Sequence, residues 1–224
     1  SRGVVVLDGG LATALESAGH DLDDPLWSAR LLRDDPDSIR RVHRDYLAAG
    51  ADCLITASYQ ASVEGFVRAG ATPDEAVALL RRAVELAVEE RDAFWAEATN
   101  RSGRPRPLVA AGVGPYGAYR ADGSEYTGDY DLDEAGLRDF HRDRLGILAG
   151  AGADLLACET LPSLPETRAL LSLLPEIGGP PAWLSFSCRD GESLHDGTPL
   201  EAVARLCDAV DEVAAAGINC MVGV

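Results

Sequence analysis

Two hydrophobic periodicities alternate along the chain. Short apolar runs rich in β-branched residues are separated by longer stretches in which apolar positions recur at helical spacing. This alternation is typical of parallel strands joined by helical crossovers, and it predicts an α/β fold. The predicted strands are Val4 to Asp8, Cys53 to Ser58, Leu108 to Val113, Asp154 to Cys158, Trp183 to Ser187 and roughly Val213 to Asn219. The predicted helices are Ser38 to Ala49, Pro73 to Thr99, Asp133 to Ala149, Pro165 to Leu174 and Pro199 to Val210.

One helix-to-strand turn occurs twice. The predicted helices that end at Ala49 and at Ala149 both lead into Ala-Gly-Ala-Asp and then into an apolar strand. A repeated turn of this kind is expected in a (β/α)8 barrel. A doubly wound open sheet is the alternative, but no predicted strand leads into a G-x-G-x-x-G helix start. We therefore predict a single barrel domain over residues 1–224.

Composition excludes several classes of function. The 224 residues are 46% hydrophobic, which is enough for one core, and 37 acidic against 20 basic residues give a net charge of −17. That charge opposes binding to nucleic acid and to anionic membranes. All basic residues are arginine, so lysine-dependent Schiff-base, pyridoxal-phosphate and P-loop chemistry is excluded. Without an apolar run of membrane-spanning length or a signal pattern, the chain is predicted to be cytoplasmic.

Two carboxylates stand at predicted strand ends, where barrel enzymes place their chemistry. Asp8 ends the first strand and Glu159 follows the fourth. Such a pair can bind a substrate ammonium or act as general acid and base, and spacing alone does not decide between these roles. Asp8 is also compatible with a turn or helix-cap role, and Thr56 with an ordinary strand-end hydroxyl.

A glycine- and tyrosine-rich segment, GPYGAYRADGSEYTGDY, occupies residues 114–130, directly after the third predicted strand. Tyrosine offers a rigid amphipathic surface, so a segment at this position is predicted to cover the barrel mouth as a lid. A surface excursion packed on itself is the alternative.

The cysteines do not by themselves define a metal site. Five are present, with no Cys-x-x-Cys or Cys-Cys pair, and no His-x-x-x-His pair accompanies them. An odd number of scattered cysteines also argues against a disulfide framework. Three of them lie at strand ends, namely Cys158, Cys188 and Cys220.

Six segments, in order, resemble the homocysteine S-methyltransferase family. They are LDGGLATALESAG, GADCLITASYQAS, VGPYGAYRADGSEYTGDY, LLACETLPSLPE, WLSFSCRDGESLHDGT and GINC. The third segment is similar to the subgroup that uses S-methylmethionine rather than betaine. The resemblance covers almost the whole chain.

The resemblance implies a (β/α)8 barrel in which homocysteine takes a methyl group from a sulfonium donor, S-methylmethionine or S-adenosylmethionine, to give methionine. Zinc would activate the homocysteine thiol as a thiolate, so that no further catalytic residue is required. Carried over residue by residue, Asp8 and Glu159 are expected to hold the homocysteine amino group. The residues expected around that group are Gly9, Gly10, Thr56 and Asn219.

The metal site that the resemblance implies is incomplete in these residues. Cys220 matches one zinc ligand, whereas the other two are expected in a Cys-Cys pair on an eighth strand. Strands seven and eight are largely missing from this sequence. Residues 221–224 resemble the start of that eighth strand, which predicts a gap in the numbering after Cys220.

Two other functions stay open at this point. A barrel glycosidase could use Asp8 and Glu159 as its carboxylate pair, although an aromatic content of 6% is low for a sugar-binding cleft. A non-catalytic homologue could bind an amino acid without the metal pair. The sequence predicts neither the physiological donor nor the oligomeric state.

Overall fold

A five-stranded parallel sheet forms the centre of the molecule. The computed structural model describes residues 3–24 and 26–220. The strands are β1 (Cys53–Ile55), β2 (Leu108–Val113), β3 (Leu155–Leu161), β4 (Ala182–Ser187) and β5 (Val213–Asn219), and they pair in the order β1-β2-β3-β4-β5. A doubly wound sheet reverses its strand order, whereas this one does not. The prediction of an α/β fold is confirmed, and the order is consistent with part of a barrel; closure is not seen among the described residues.

Helices connect the strands, and local sequence signals fix several helix ends. They are α1 (Leu11–Ser17), α2 (Leu31–Asp34), α3 (Pro36–Ala49), α4 (Val63–Arg68), α5 (Pro73–Ala96), α6 (Tyr116–Arg120), α7 (Glu134–Ala149), α8 (Leu164–Ile177) and α9 (Leu200–Asp208). Thr72 and Glu75 form a capping box at the start of α5. Gly50 ends α3 in the left-handed conformation, at φ 110°. None of the helices in the described ranges is long and apolar enough to cross a bilayer.

The two faces of the sheet carry different side chains. One face packs larger apolar residues such as Leu156 and Leu184 into the main core. The other presents small residues, Cys53, Ala110 and Ala157, which pack with Trp183 in a separate cluster. Small residues on this second face are compatible with a sheet that curls around its own interior.

The predicted strand at Val4 to Asp8 is wrong as a strand. Only Leu7 forms a bridge, to Cys53, although the amide of Asp8 also donates to the Cys53 carbonyl at 2.9 Å. The segment contacts the sheet on one side only, and Val4 is 71% exposed. The amide of Val6 donates to the Asp52 carboxylate at 3.2 Å instead of to a strand carbonyl, which interrupts a regular ladder.

Two strand ends also differ from the prediction. β1 stops at Ile55 because the amide of Ser58 turns back to the carbonyl of Thr56 at 2.8 Å. β3 continues through Glu159 to Leu161, with a register shift between Cys158 and Leu161. Glu159 therefore lies within a strand, next to an irregularity.

Candidate active site

A cavity of about 270 Å³ lies at the carboxyl ends of the strands. Its walls come from the start of α1, the ends of β1 and β3, the residue after β5 and three aromatic side chains. The lining residues are Gly9, Gly10, Leu11, Ala12, Thr13, Trp27, Ser28, Ile55, Thr56, Ala57, Tyr59, Tyr126, Glu159, Thr160 and Cys220. Five of the residues singled out by sequence therefore share this cavity, and Asp8 directly precedes its glycine wall.

Asp8 is half-buried, and its two carboxyl oxygens have different surroundings. One oxygen, Oδ2, accepts a hydrogen bond from the amide of Ile55 at 2.8 Å. The other, Oδ1, is buried and has no hydrogen-bond partner among the described residues. Burial, helped by the negative charge of Glu159, raises the pKa of Asp8 from 3.8 to about 7. Among residues 3–24 and 26–220, no positive group holds this carboxyl in its charged form.

The pKa of Glu159 is raised in the same way as that of Asp8. The indole of Trp183 donates to Oε1 at 3.3 Å, and burial raises the pKa of Glu159 from 4.5 to about 7. Within the described residues, no arginine or histidine forms a salt bridge with Asp8 or Glu159. Two desolvated carboxyls without a cation would bind an organic ammonium favourably, because its charge would offset their repulsion.

The remaining predicted substrate residues have structural contacts of their own. A Cβ atom at Gly9 would lie 2.6 Å from the Tyr46 hydroxyl, so a larger residue there would displace the Tyr46 ring. The Thr56 hydroxyl lines the cavity but already accepts from the amide of Gly112 at 3.0 Å. Asn219 is not among the lining residues, because its amide group contacts Thr160 instead.

Cys220 differs from the other cysteines. All five cysteines lie in the described part of the chain, where four are buried and Cys220 is exposed, at the cavity wall. Among residues 3–24 and 26–220, no group of three His, Cys, Asp or Glu side chains could hold a metal ion. One thiol does not complete a zinc site, which needs three or four protein ligands. The sequence features predicted at residues 221–224 lie outside the described residues.

Sequence reasoning did not single out two of the aromatic walls, Trp27 and Tyr59. Their rings meet edge to face with centroids 6.3 Å apart. Buried Arg144 on α7 donates to the carbonyls of Ser58 and Gly114, at 2.9 Å each, and also to that of Tyr59. The arginine therefore fixes the position of the Tyr59 backbone. The predicted lid segment contributes the third ring, Tyr126.

A larger groove of about 880 Å³ lies along α5, between Arg33 and Glu85. Its lining comes from α2, α5 and the turn before α5, and it includes no strand-end residue. The smaller cavity is the better candidate for a site because the desolvated carboxyl of Glu159 and the exposed thiol of Cys220 both line it, with Asp8 next to its glycine wall.

The raised pKa of Asp8 predicts a pH-dependent stability. A carboxyl whose pKa rises from 3.8 to about 7 on folding binds its proton more tightly in the folded protein. Stability is then lost as pH rises between these two values. Without homocysteine, Asp8→Asn should raise the free energy of unfolding, relative to wild type, by about 1–3 kcal/mol more near pH 8 than near pH 5. Denaturant unfolding at both pH values measures this, and an effect no larger near pH 8 than near pH 5 would contradict the assignment of Asp8.

Together, the parallel sheet and the strand-end cavity are the arrangement of an α/β enzyme whose site lies at the carboxyl ends of its strands. The family model described as homocysteine S-methyltransferase matches residues 5–223. The chain belongs to the homocysteine S-methyltransferase family, and its enzyme class is methyltransferase.

Individual relatives agree with this assignment. The chain is 51% identical to homocysteine S-methyltransferase YbgG of Bacillus subtilis, covering 97% of this chain and 69% of that protein. It is 52% identical to homocysteine S-methyltransferase 4 of Zea mays, covering 97% of this chain and 65% of the relative. The metallated form of the homocysteine methyltransferase MmuM from Escherichia coli superposes with a TM-score of 0.91 at 50% identity, covering 98% of this chain and 75% of that one. The chain thus spans about two thirds of the length of its curated relatives.

Proposed function

We propose that this protein transfers a methyl group from a sulfonium donor, S-methylmethionine or S-adenosylmethionine, to the thiol of homocysteine. The observation that carries the proposal is the pair of buried carboxyls, Asp8 and Glu159, which have no cationic partner among the described residues. Homocysteine supplies an ammonium for this pair and a thiol for the same cavity. A glycosidase, the alternative that would use the same two carboxyls, has no support from the family to which the chain belongs.

The residues of the chain would bind and orient the acceptor. Asp8 and Glu159 would fix the amino group, and their pKa values would fall as the ammonium arrives. The glycine wall allows close approach of the substrate backbone. With its amino group held, the acceptor would direct its sulfur into the cavity that Cys220 lines. The sulfur, as thiolate, would form a bond to the donor methyl carbon while the carbon bond to the donor sulfonium breaks, leaving two neutral thioethers.

Cys220 is proposed to supply one ligand to a zinc ion. It fits this role because it is the exposed thiol at the cavity, and the metallated form of MmuM supports a metal in the family. Further ligands are expected in a Cys-Cys pair outside the described residues. When bound, zinc would stabilise the homocysteine sulfur as a thiolate at neutral pH.

A second cavity supports a cationic donor. It has a volume of about 390 Å³ and shares Trp27, Tyr59 and Tyr126 with the first cavity. Its outer walls carry the acidic side chains Asp23, Asp24 and Glu125. Aromatic faces and carboxylates together attract sulfonium and ammonium groups. Betaine has no net charge, so the acidic wall would attract it less strongly than a cationic donor.

The closed barrel is also part of the proposal. Val4 and Ile218 lie near the two outer edges of the sheet and are 71% and 51% exposed. Two further strands would cover these exposed apolar residues at both edges. The curated relatives are longer than this chain. We propose one barrel domain, in the cytoplasm, without nucleic-acid or membrane partners, in keeping with the net charge of −17.

Donor specificity tests the proposed function. Purified full-length protein loaded with zinc should make methionine from homocysteine and S-methylmethionine, less from S-adenosylmethionine and none from betaine. Methionine is measured by chromatography, with homocysteine isotope-labelled in its carbon skeleton so that methylated homocysteine is distinguished from demethylated donor. Equal turnover with betaine would contradict the donor assignment. No methionine from either sulfonium would instead favour a non-catalytic homologue that binds an amino acid.

A further inference from the structure

Thr160, the residue after Glu159, has a backbone conformation that its side chain disfavours. Its φ is +64°, in the left-handed region, although threonine is β-branched. The residue is only 3% exposed and lies within the irregular part of β3. For an L residue, this conformation is less populated by roughly 5- to 30-fold. Tertiary contacts must therefore hold Thr160 in place.

Asn219 provides those contacts through both ends of its amide group. Its Nδ2 donates to the Thr160 hydroxyl at 2.9 Å, and its Oδ1 accepts from the Thr160 amide at 3.2 Å. Asn219 ends β5 whereas Thr160 belongs to β3, so the pair spans the intervening strand β4. Nδ2 also lies 3.6 Å from the Cys220 sulfur. The same amide therefore contacts both the residue after Glu159 and the proposed metal ligand.

We propose that Asn219 is a positioning residue. It holds Thr160 in the left-handed conformation, and this conformation directs the Glu159 carboxylate into the cavity. The proposal rests on the proposed function for the role of Glu159 in binding the homocysteine amino group. It differs from a direct substrate contact because Asn219 acts through the backbone of Thr160.

The proposal predicts a specific rescue by glycine. Asn219→Ala removes both hydrogen bonds, so Thr160 should relax and the affinity for homocysteine should fall about tenfold. Adding Thr160→Gly should recover at least about threefold, because glycine adopts a positive φ without a steric penalty. Adding Thr160→Ala should recover nothing. Both substitutions remove the Thr160 hydroxyl and its contact with Tyr59, so the two variants differ only in the Cβ atom.

Calorimetric titration of homocysteine into zinc-loaded full-length protein measures these affinities, with zinc content determined for each variant. Should Asn219→Ala fail to fold, the single variants Thr160→Gly and Thr160→Ala still test the proposal, since the alanine variant should bind at least about threefold more weakly. Equal affinity of the glycine and alanine variants in both backgrounds would overturn it, as would unchanged affinity in Asn219→Ala.

A parallel titration of Glu159→Gln distinguishes a failure of the proposed function from a failure of the positioning role of Asn219. If Glu159→Gln leaves the affinity unchanged, the proposed function of Glu159 fails. If Glu159→Gln weakens binding and the Asn219 and Thr160 variants do not, only the positioning role is overturned.

Discussion

Cys220→Ala is expected to abolish zinc retention and methionine formation by the full-length protein. The physical reason is ligand number, because a site of three protein thiolates cannot hold zinc tightly after losing one of them. Changes to residues that merely support metal ligands commonly cost 10- to 100-fold, so loss of a ligand should reduce activity by more than about 100-fold. Cys220 is exposed, and its replacement leaves no cavity in the core. Metal analysis and the methionine assay, run on the same preparations, measure both effects.

Cys207→Ala is the matched control for this prediction. Cys207 lies on α9, is 2% exposed and does not line the cavity. Its variant should lose some stability, as expected for a buried small hydrophobe, but keep zinc and activity. Near-stoichiometric zinc in Cys220→Ala, or activity that survives the loss of zinc, would show that Cys220 is not a ligand.

Glu159→Gln is expected to lower the affinity for homocysteine more than tenfold while zinc content stays normal. The substitution keeps the shape of the side chain and its hydrogen bond from Trp183. It removes the charge, and a charge-assisted hydrogen bond to a buried ammonium contributes about 1.5–3 kcal/mol. The KM for homocysteine should rise accordingly, with a smaller change in kcat.

A distant glutamate supplies the control. Glu201 on α9 is 76% exposed and forms a salt bridge with Arg205. Because exposed pairs contribute little, Glu201→Gln should leave the KM for homocysteine unchanged. An unchanged KM in Glu159→Gln would show that the Glu159 carboxylate is structural.

The sequence was sufficient to predict the class of fold and to single out residues that share one cavity. Alternating periodicities predicted parallel strands, and the rule that chemistry lies at strand ends brought Glu159 and Cys220 into one cavity. The strand at Val4 to Asp8 was predicted wrongly, because an apolar β-branched run does not show whether its amides will bond to strand carbonyls or to side chains. Closure of the barrel depends on what pairs with the two outer edges of the sheet, and it stays a prediction.

The details of the site depend on contacts between distant segments. Trp27 has no strand-end position and no periodicity that would distinguish it from a core residue. A threonine at position 160 argues against a positive φ, and its contacts with the distant Asn219 are not visible in the local sequence. Asn219 was expected beside the substrate, whereas its amide group is used within the protein. Local sequence patterns do not predict such contacts between distant residues.

The most direct test of the central claim compares two ligands on two proteins. Homocysteine and its desamino analogue, which keeps the thiol and the carboxylate, are titrated by calorimetry into zinc-loaded wild type and Glu159→Gln. If the buried carboxyls bind the amino group, wild type should prefer homocysteine by more than about tenfold, and the variant should lose most of that preference. Equal binding of both ligands by wild type, or an undiminished preference in Glu159→Gln, would contradict the account.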